Sequence, residues 1–205
     1  MSRYTGPKNR IARKFGCNIF SRARNPLLHK PNPPGVHGAK RRKKSDFGHQ
    51  LEEKQKLRAV YGQITNKQLI LTYRKAVKQP GNSAHNFLQR LECRLDNIVF
   101  RLKLAPTIFA SQQLISHGHV LVDGKKVDIK SFQVKQGMKI SLKEKIKKLI
   151  IVKEAQESAR ELPEYLTLAD DKCSGELGSV PLVEQIPLPL IVNIPLVCEF
   201  LAHTT

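Results

Sequence analysis

The period of the apolar positions changes along this chain, and each change marks an element. The strongest stripe lies in residues 83–102. There Phe87, Leu88, Leu91, Leu95, Ile98 and Val99 fall at i, i+1, i+4, i+8, i+11 and i+12, one face of a helix, with Arg90, Arg94 and Arg101 on its polar side. Ser45-Asp46 supplies N-cap residues for a helix over about 46–61, ended near Gly62. A second helix, about 66–78, gathers Leu69, Ile70, Tyr73, Ala76 and Val77 on one side, and Pro80-Gly81-Asn82 stops it. Another follows Thr107 and ends at Gly118, a suitable C′ residue.

The period then drops to two. His119 to Val122 and Lys125 to Asp128 read as strands joined by Asp123-Gly124, a pair suited to a type I′ turn, whose two central residues need positive φ. Val134 and Met138 to Leu142 suggest further short strands around Gly137. Residues 144–162 return to a helical pattern with a Lys-rich start, and Pro163 ends it. Residues 170–193 hold Gly, Ser, Pro and few charges, and the run from Ile186 to Ile194, which includes Pro187 and Pro189, reads as extended chain or loop. Pro195 opens a short helix, Leu196 to Ala202, because proline is tolerated at the first helical position. That helix needs an apolar surface, and the helices of 46–90 offer one. The stretch Arg94–Leu142 is then an insertion between two halves of one helical domain.

Charge changes the picture. The 205 residues carry a formal net charge of +19. Residues 1–50 hold 13 Lys and Arg against one acid, residues 51–160 hold 22 against 9, and residues 161–205 hold one against 7. Such asymmetry points to a polyanionic partner, nucleic acid before an anionic membrane surface. With no run of 18 apolar residues, a membrane span is not expected. The first residues, MSRYTGPKNRIARKFG, lack a signal-peptide pattern and read as a cytosolic mature terminus. Gly6, Pro7 and Gly16 break any long amphipathic helix there. The segment NPPGVHGAKRRKKS should be extended or disordered alone, ordering only against its partner. Cys17, Cys93, Cys173 and Cys198 are scattered with no C-x-x-C pair, so neither a zinc site nor disulfides are expected; Cys93 and Cys198 read as small core residues.

The chemistry concentrates at Asp123-Gly124-Lys125-Lys126. A tight turn projects with little bulk, and two cations beside it reach phosphate oxygens. The preceding helix presents its N-terminal amides and the Thr107 hydroxyl to another phosphate. Together they make a positive concave face that reads shape, as proteins do on RNA helices whose major groove is too deep and narrow for side chains. From spacing alone, a solvated hairpin with ordinary surface lysines is an equal reading.

The strings Leu91-Glu92-Cys93-Arg94-Leu95-Asp96-Asn97-Ile98-Val99-Phe100-Arg101, Gln113-Leu114-Ile115-Ser116-His117 and Val122-Asp123-Gly124-Lys125-Lys126-Val127 resemble the S-four-type RNA-binding domain. Met1 to Lys8, His37-Gly38-Ala39, Ser45-Asp46-Phe47-Gly48, Glu53 to Arg58 and Tyr61-Gly62 resemble the S-four family of bacterial small-subunit ribosomal proteins, and Gly81-Asn82, Leu190 to Val192 and Glu199-Phe200 fit it more loosely. The likeness thus spans nearly the whole chain. It implies an α+β fold: a basic extended leader (1–45), a discontinuous, mostly helical domain (46–90 plus about 175–205), and an inserted α+β RNA-binding domain with short antiparallel strands (91–174, motif core 94–142).

The resemblance also implies function. Such a protein binds small-subunit ribosomal RNA early, nucleates assembly of the subunit body and influences translational accuracy, working in the cytoplasm on the ribosome. Implied neighbours are the small-subunit proteins S-five and S-twelve, and messenger RNA near Lys40, Arg41 and Lys43. Candidate RNA contacts are Arg3, Tyr4, Lys8, Arg10, Arg13, Lys14, Arg22, Arg24, Lys40, Arg41 and Lys43 in the leader, then Arg58, Arg94, Thr107, Gln112, His117, Lys125 and Lys126. No cofactor, metal, small-molecule substrate or catalytic residue is expected. Three positions depart from the family pattern. An arginine is usual where Ile108 stands, an alanine at Ser111 and an asparagine at Asp123; the aspartate is expected to point at Lys125 or solvent.

Two rival classes use the same RNA-binding unit. Arg94-Leu95-Asp96 matches the catalytic string of pseudouridine synthases, but those enzymes place a large mixed-sheet domain after the unit and only about 60 residues follow here. Asp96 reads instead as a helix-surface or cap-like partner of a nearby cation. Quality-control factors carrying the unit are shorter and lack this leader.

Overall fold

The helix that the apolar stripe predicts as one piece is two. In the computed structural model, which describes residues 4–20, 24–40, 43–147, 150–158 and 160–204, helix α4 (Ser83–Glu92) stops and α5 (Leu95–Arg101) restarts. Arg94 between them is extended, φ −71° and ψ 138°. The amides that a continuous helix would point at α4 carbonyls go elsewhere: Leu95 N–H donates to Phe132 O at 2.9 Å and Asp96 N–H to Lys130 O at 3.2 Å. Val134 N–H donates in turn to Cys93 O at 2.9 Å. The stripe survives the break, since Leu91 and Leu95 are both fully buried. Periodicity reports which face is buried, and it does not see where the backbone changes partners.

Two compact units divide the chain, Met1–Phe87 with Leu188–Thr205 and Leu88–Pro187. In the first, α1 (Lys8–Phe15) precedes α2 (Asp46–Val60) and α3 (Asn66–Val77). The leader is therefore not extended throughout. Gly16 at φ 64° closes α1, as its left-handed conformation requires, and Ala12, Ile19 and Phe20 are buried. Ser45 and Thr65 cap α2 and α3 through their hydroxyls, which accept from Gly48 N–H and Gln68 N–H. The C-terminal helix α9 (Ile194–Thr204) packs on α2 and α3. Phe47 and Phe200 rings lie 5.4 Å apart, Lys54 Nζ sits 4.0 Å over Phe200, and Asn193 N–H donates to Glu53 at 2.8 Å.

The second unit builds α6 (Ile108–Ser116), a five-stranded antiparallel sheet, and two short helices, α7 (Glu144–Lys147) and α8 (Ile150–Gln156). The strands are β1 (Val120–Val122), β2 (Lys125–Lys126), β3 (Lys139–Leu142), β4 (Leu166–Leu168) and β5 (Ser174–Leu177), in the order β2-β1-β3-β5-β4. Val134 is not in a strand of this sheet; its neighbour Gln133 makes an isolated bridge to Arg94. Residues 186–193 carry neither helix nor strand, as expected, but β5 before them was not foreseen, and residues 175–187 lie with the sheet rather than with the helical half. Weak alternation hides β5: one of its two inward residues is Gly175, where a Cβ would collide with Leu102 and Thr167 O. Leu95, Ile98, Val99, Leu102, Ile115, Val120, Val122, Ile140, Leu142 and Leu177 share the core.

Two buried polar knots tie these layers. Asp96, 1% exposed, accepts from Arg94 Nε (3.0 Å) and Nη2 (2.9 Å), from Asn97 N–H (3.1 Å) and from Gln112 Nε2 (3.2 Å). Ser111, on the same turn of α6, donates its hydroxyl to Asp96 O at 2.7 Å. The second knot is Glu92, fully buried, which accepts from Arg101 Nε at 2.8 Å and Tyr165 OH at 2.7 Å. Burial first, and the Glu92 charge next, push the Tyr165 phenol far above its ordinary range. We expect Asp96→Ala to lose about 3–5 kcal/mol in urea unfolding, because it strands a buried guanidinium. A loss under about 1 kcal/mol would show that the pair anchors nothing. Tyr165→Phe should cost about 1–3 kcal/mol by the same measurement, the penalty for leaving a buried carboxylate one donor short.

Candidate nucleic-acid interface

The α6–β1 junction is built by one glycine. Gly118, φ 69°, donates to Ile115 O at 2.7 Å, and His119 N–H donates to Leu114 O at 3.0 Å. This Schellman arrangement satisfies the last carbonyls of α6 and turns the chain straight into β1. Gly118 also bears the aliphatic stem of Lys126, since a Cβ there would run into Lys126 Cε. At the other end of α6, the Thr107 hydroxyl accepts Ala110 N–H at 3.2 Å. Thr107 is thus engaged as a cap.

The hairpin turn has Asp123 at φ 47° and Gly124 at φ 76°, the two positive values a type I′ turn demands. Asp123 is exposed to solvent, as expected, and it also takes a backbone partner that was not foreseen. Its Oδ1 accepts Lys139 N–H at 2.8 Å while its own N–H donates to Lys139 O at 2.9 Å. The carboxylate is thereby committed to the edge of β3. Lys125 and Lys126 are exposed, and among the described residues neither pairs with a carboxylate. His117 is exposed beside them, its ring 5.9 Å from that of His119 at 73°. Burial, then the charges of His117, Lys143 and Lys126, hold the His119 imidazole below its ordinary value.

Other predicted contacts are spent inside the protein. Arg94 is 3% exposed and held by Asp96, and Gln112, 8% exposed, donates to the same carboxylate. Both shape the unit and neither offers a free face. Asp96 does partner a cation as expected, but in the core rather than on the helix surface. Ser111 and Ile108, the departures from the usual family residues, are buried, Ser111 as a clamp between α5 and α6. Cys93 is only half-buried, whereas Cys198 is buried; burial raises each thiol to about 11.

In the first unit, Arg13 Nε donates to Lys30 O and Asn32 O, both at 3.0 Å, and Nη2 to Pro33 O at 3.4 Å, folding the proline-rich loop around one guanidinium. Arg58 donates to Ile64 O at 2.9 Å and Gln55 Oε1 at 3.0 Å, and burial lowers its affinity for the proton. Arg24 donates to His29 Nε2 at 3.2 Å. Arg10, Lys14, Lys40 and Lys43 are exposed, and Tyr4 and Lys8 are half-buried. Arg3, Arg22 and Arg41 lie outside the described residues. Sequence reasoning left Lys143 out of the site, and its place opposite His119 needs the β1–β3 register to be seen. Among the described residues no three His, Cys, Asp or Glu side chains gather as for a metal, and no helix is long and apolar enough to cross a membrane.

Two family models match the chain. Residues 3–92 match the family model described as ribosomal protein S4/S9 N-terminal domain, and residues 93–140 match the S4 domain. The small ribosomal subunit protein uS4 of Protochlamydia amoebophila is 62% identical over 206 residues, all of both chains. That of Chlamydia trachomatis serovar D is 61% identical over 209 residues and that of Chlamydia caviae 56%, again over the full length of each. With family models matched over residues 3–140 and likeness of this extent from end to end, the chain belongs to the uS4 family of small ribosomal subunit proteins.

Proposed function

We propose that this chain holds folded ribosomal RNA by its backbone, through cations fixed on a rigid scaffold. It is a structural constituent of the small ribosomal subunit and a primary binder of that subunit's RNA, with roles in assembly of the subunit body and in translational accuracy. One observation carries the physical reading. The Asp123 carboxylate is turned onto Lys139 N–H, so the only acid of the turn is withdrawn from the two exposed lysines that follow it. Nothing internal competes with phosphate for Lys125 and Lys126 among the described residues. His117 stands beside them, and the leader adds Arg10, Lys14, Lys40 and Lys43 as exposed cations of the first unit.

The finer reading follows from the same charge. Contact with neighbouring proteins S-five and S-twelve, and with messenger RNA near Lys40 and Lys43, suits a leader in which these two lysines are exposed and cations far outnumber acids. Work on the ribosome in the cytoplasm, without catalysis, suits a chain whose one aspartate in a catalytic-looking string is locked in the core.

Binding by phosphate contacts releases condensed cations, so affinity for in vitro transcribed small-subunit RNA should fall with salt, by a log–log slope of roughly 0.7–0.9 per contact. Lys125→Ala with Lys126→Ala should reduce that slope by about 1–2, while unfolding stability stays within about 0.5 kcal/mol. A salt-independent affinity, or an unchanged slope in a folded double variant, would remove the hairpin from the interface.

A further inference from the structure

One face of the second unit's sheet carries a cluster that the hairpin alone does not explain. The β1–β3 register pairs Val120 with Leu142 and Val122 with Ile140, all four turned into the core. His119 and Lys143 are the next pair along, joined by Lys143 N–H to His119 O at 3.0 Å, and by alternation they share the opposite face. Lys126 is paired with Leu121 on β1 and so points to that same face, its stem laid over Gly118. His117 enters from the C-terminus of α6 with its ring edge against His119. Four elements, α6, β1, β2 and β3, therefore deliver two imidazoles and two ammonium groups to one spot.

The acids nearby in sequence or register are occupied or displaced. Asp123 is hydrogen-bonded to Lys139 N–H at the far end of β3. Glu176 is paired with Lys139 at that same end, four residues from Lys143. Glu144 bonds Lys147 at 2.7 Å, and Asp128 is exposed beyond β2. The charges that act on His119 are all positive. Without an anion from outside, His119 resists protonation.

We infer that His117, His119, Lys126 and Lys143 form one seat for RNA backbone phosphate, and that RNA entering it drives a proton onto His119. This rests on the RNA-binding reading above and adds two residues and a proton to it. A phosphate supplies the missing counter-charge, which raises the pKa of an imidazole beside it. Protonation then gives the ring a second donor, so each ring nitrogen can donate to a phosphate oxygen. The free protein holds His119 below its ordinary value and the complex raises it. The extra affinity is therefore full at pH below the free value and lost as pH rises through the bound value.

Affinity for in vitro transcribed small-subunit RNA, measured at fixed ionic strength from about pH 8 down to about pH 5.5, tests this directly. We expect the full chain to bind about 3–10-fold more tightly at the acid end, about tenfold for each unit by which the bound pKa exceeds the free one. His119→Gln and, separately, Lys143→Ala should each flatten the rise, the first by removing the proton site and the second by weakening the phosphate's hold. Histidine ring resonances followed by NMR should show the His119 pKa moving upward when RNA is added. If RNA binds well but with a pH slope unchanged in His119→Gln, or with a His119 pKa that does not move, the inference is overturned while the RNA-binding reading stands. If RNA fails to bind at any pH, it is the RNA-binding reading that falls. Should His119→Gln not fold, the NMR titration of the native chain decides by itself.

Discussion

An arginine and an aspartate that have left water together fix the geometry of the RNA-binding unit. Exchanging such a pair for apolar residues of equal volume is often neutral or even stabilising, so its presence is not an argument about net stability. Its effect here is on register. Arg94 sits where the chain leaves α4, Asp96 where it enters α5, Gln112 on α6, and the amides of residues 95 and 96 bond to carbonyls of 132 and 130. Sliding any one of these elements leaves a buried charge without its partner, at a cost of several kcal/mol. The arrangement in which every donor is met is therefore the one the chain keeps.

The hairpin inherits that rigidity. It leaves from the end of α6, which Ser111 and Gln112 clamp to α5, and the chain returns through residues 130–134, stitched to the α4–α5 break. Both roots of the exposed loop are thus held by the same knot. Lys125 and Lys126 are presented at positions set by backbone hydrogen bonds, not by their own side chains. A surface that reads RNA by shape needs this, because phosphates at fixed spacing reward cations only when those cations are fixed too.

The legible part of the sequence was whatever repeats or punctuates. Gly62 and Gly118 ended their helices, Asp123-Gly124 turned the hairpin with both φ values positive, and all six apolar positions of the 87–99 stripe are buried. What stayed hidden depends on partners far away in the chain. The break at Arg94 becomes visible only once residues 130–134 lie beside it. The β5 strand has a glycine at one inward position because Leu102 fills that space, and a glycine reads as loop. Helix α1 is short and closed by glycine, so composition alone gave it no weight. The candidate site was legible where it is a turn and illegible where it is a pairing, as with His119 and Lys143.

The largest misreading was to treat basic residues as one class. Arg13 gathers three backbone carbonyls, Arg58 one carbonyl and a side-chain amide, Arg94 a buried carboxylate, and Arg101 a carboxylate and the Pro187 carbonyl. Arg160 reaches the carbonyls of Phe100 and Ala105 with its guanidinium 4.3 Å over the Phe100 ring. A planar fork with five donors meets several acceptors at once and gives up its water easily, so it serves as a fastener for irregular backbone. The ammonium of lysine is compact and strongly hydrated, and Lys14, Lys40, Lys43, Lys125 and Lys126 all stay outside. A strongly basic chain with little regular core in its leader needs both services. In both units the arginines named here work largely as internal struts, and the exposed charge that can meet a polyanion is carried mainly by lysine.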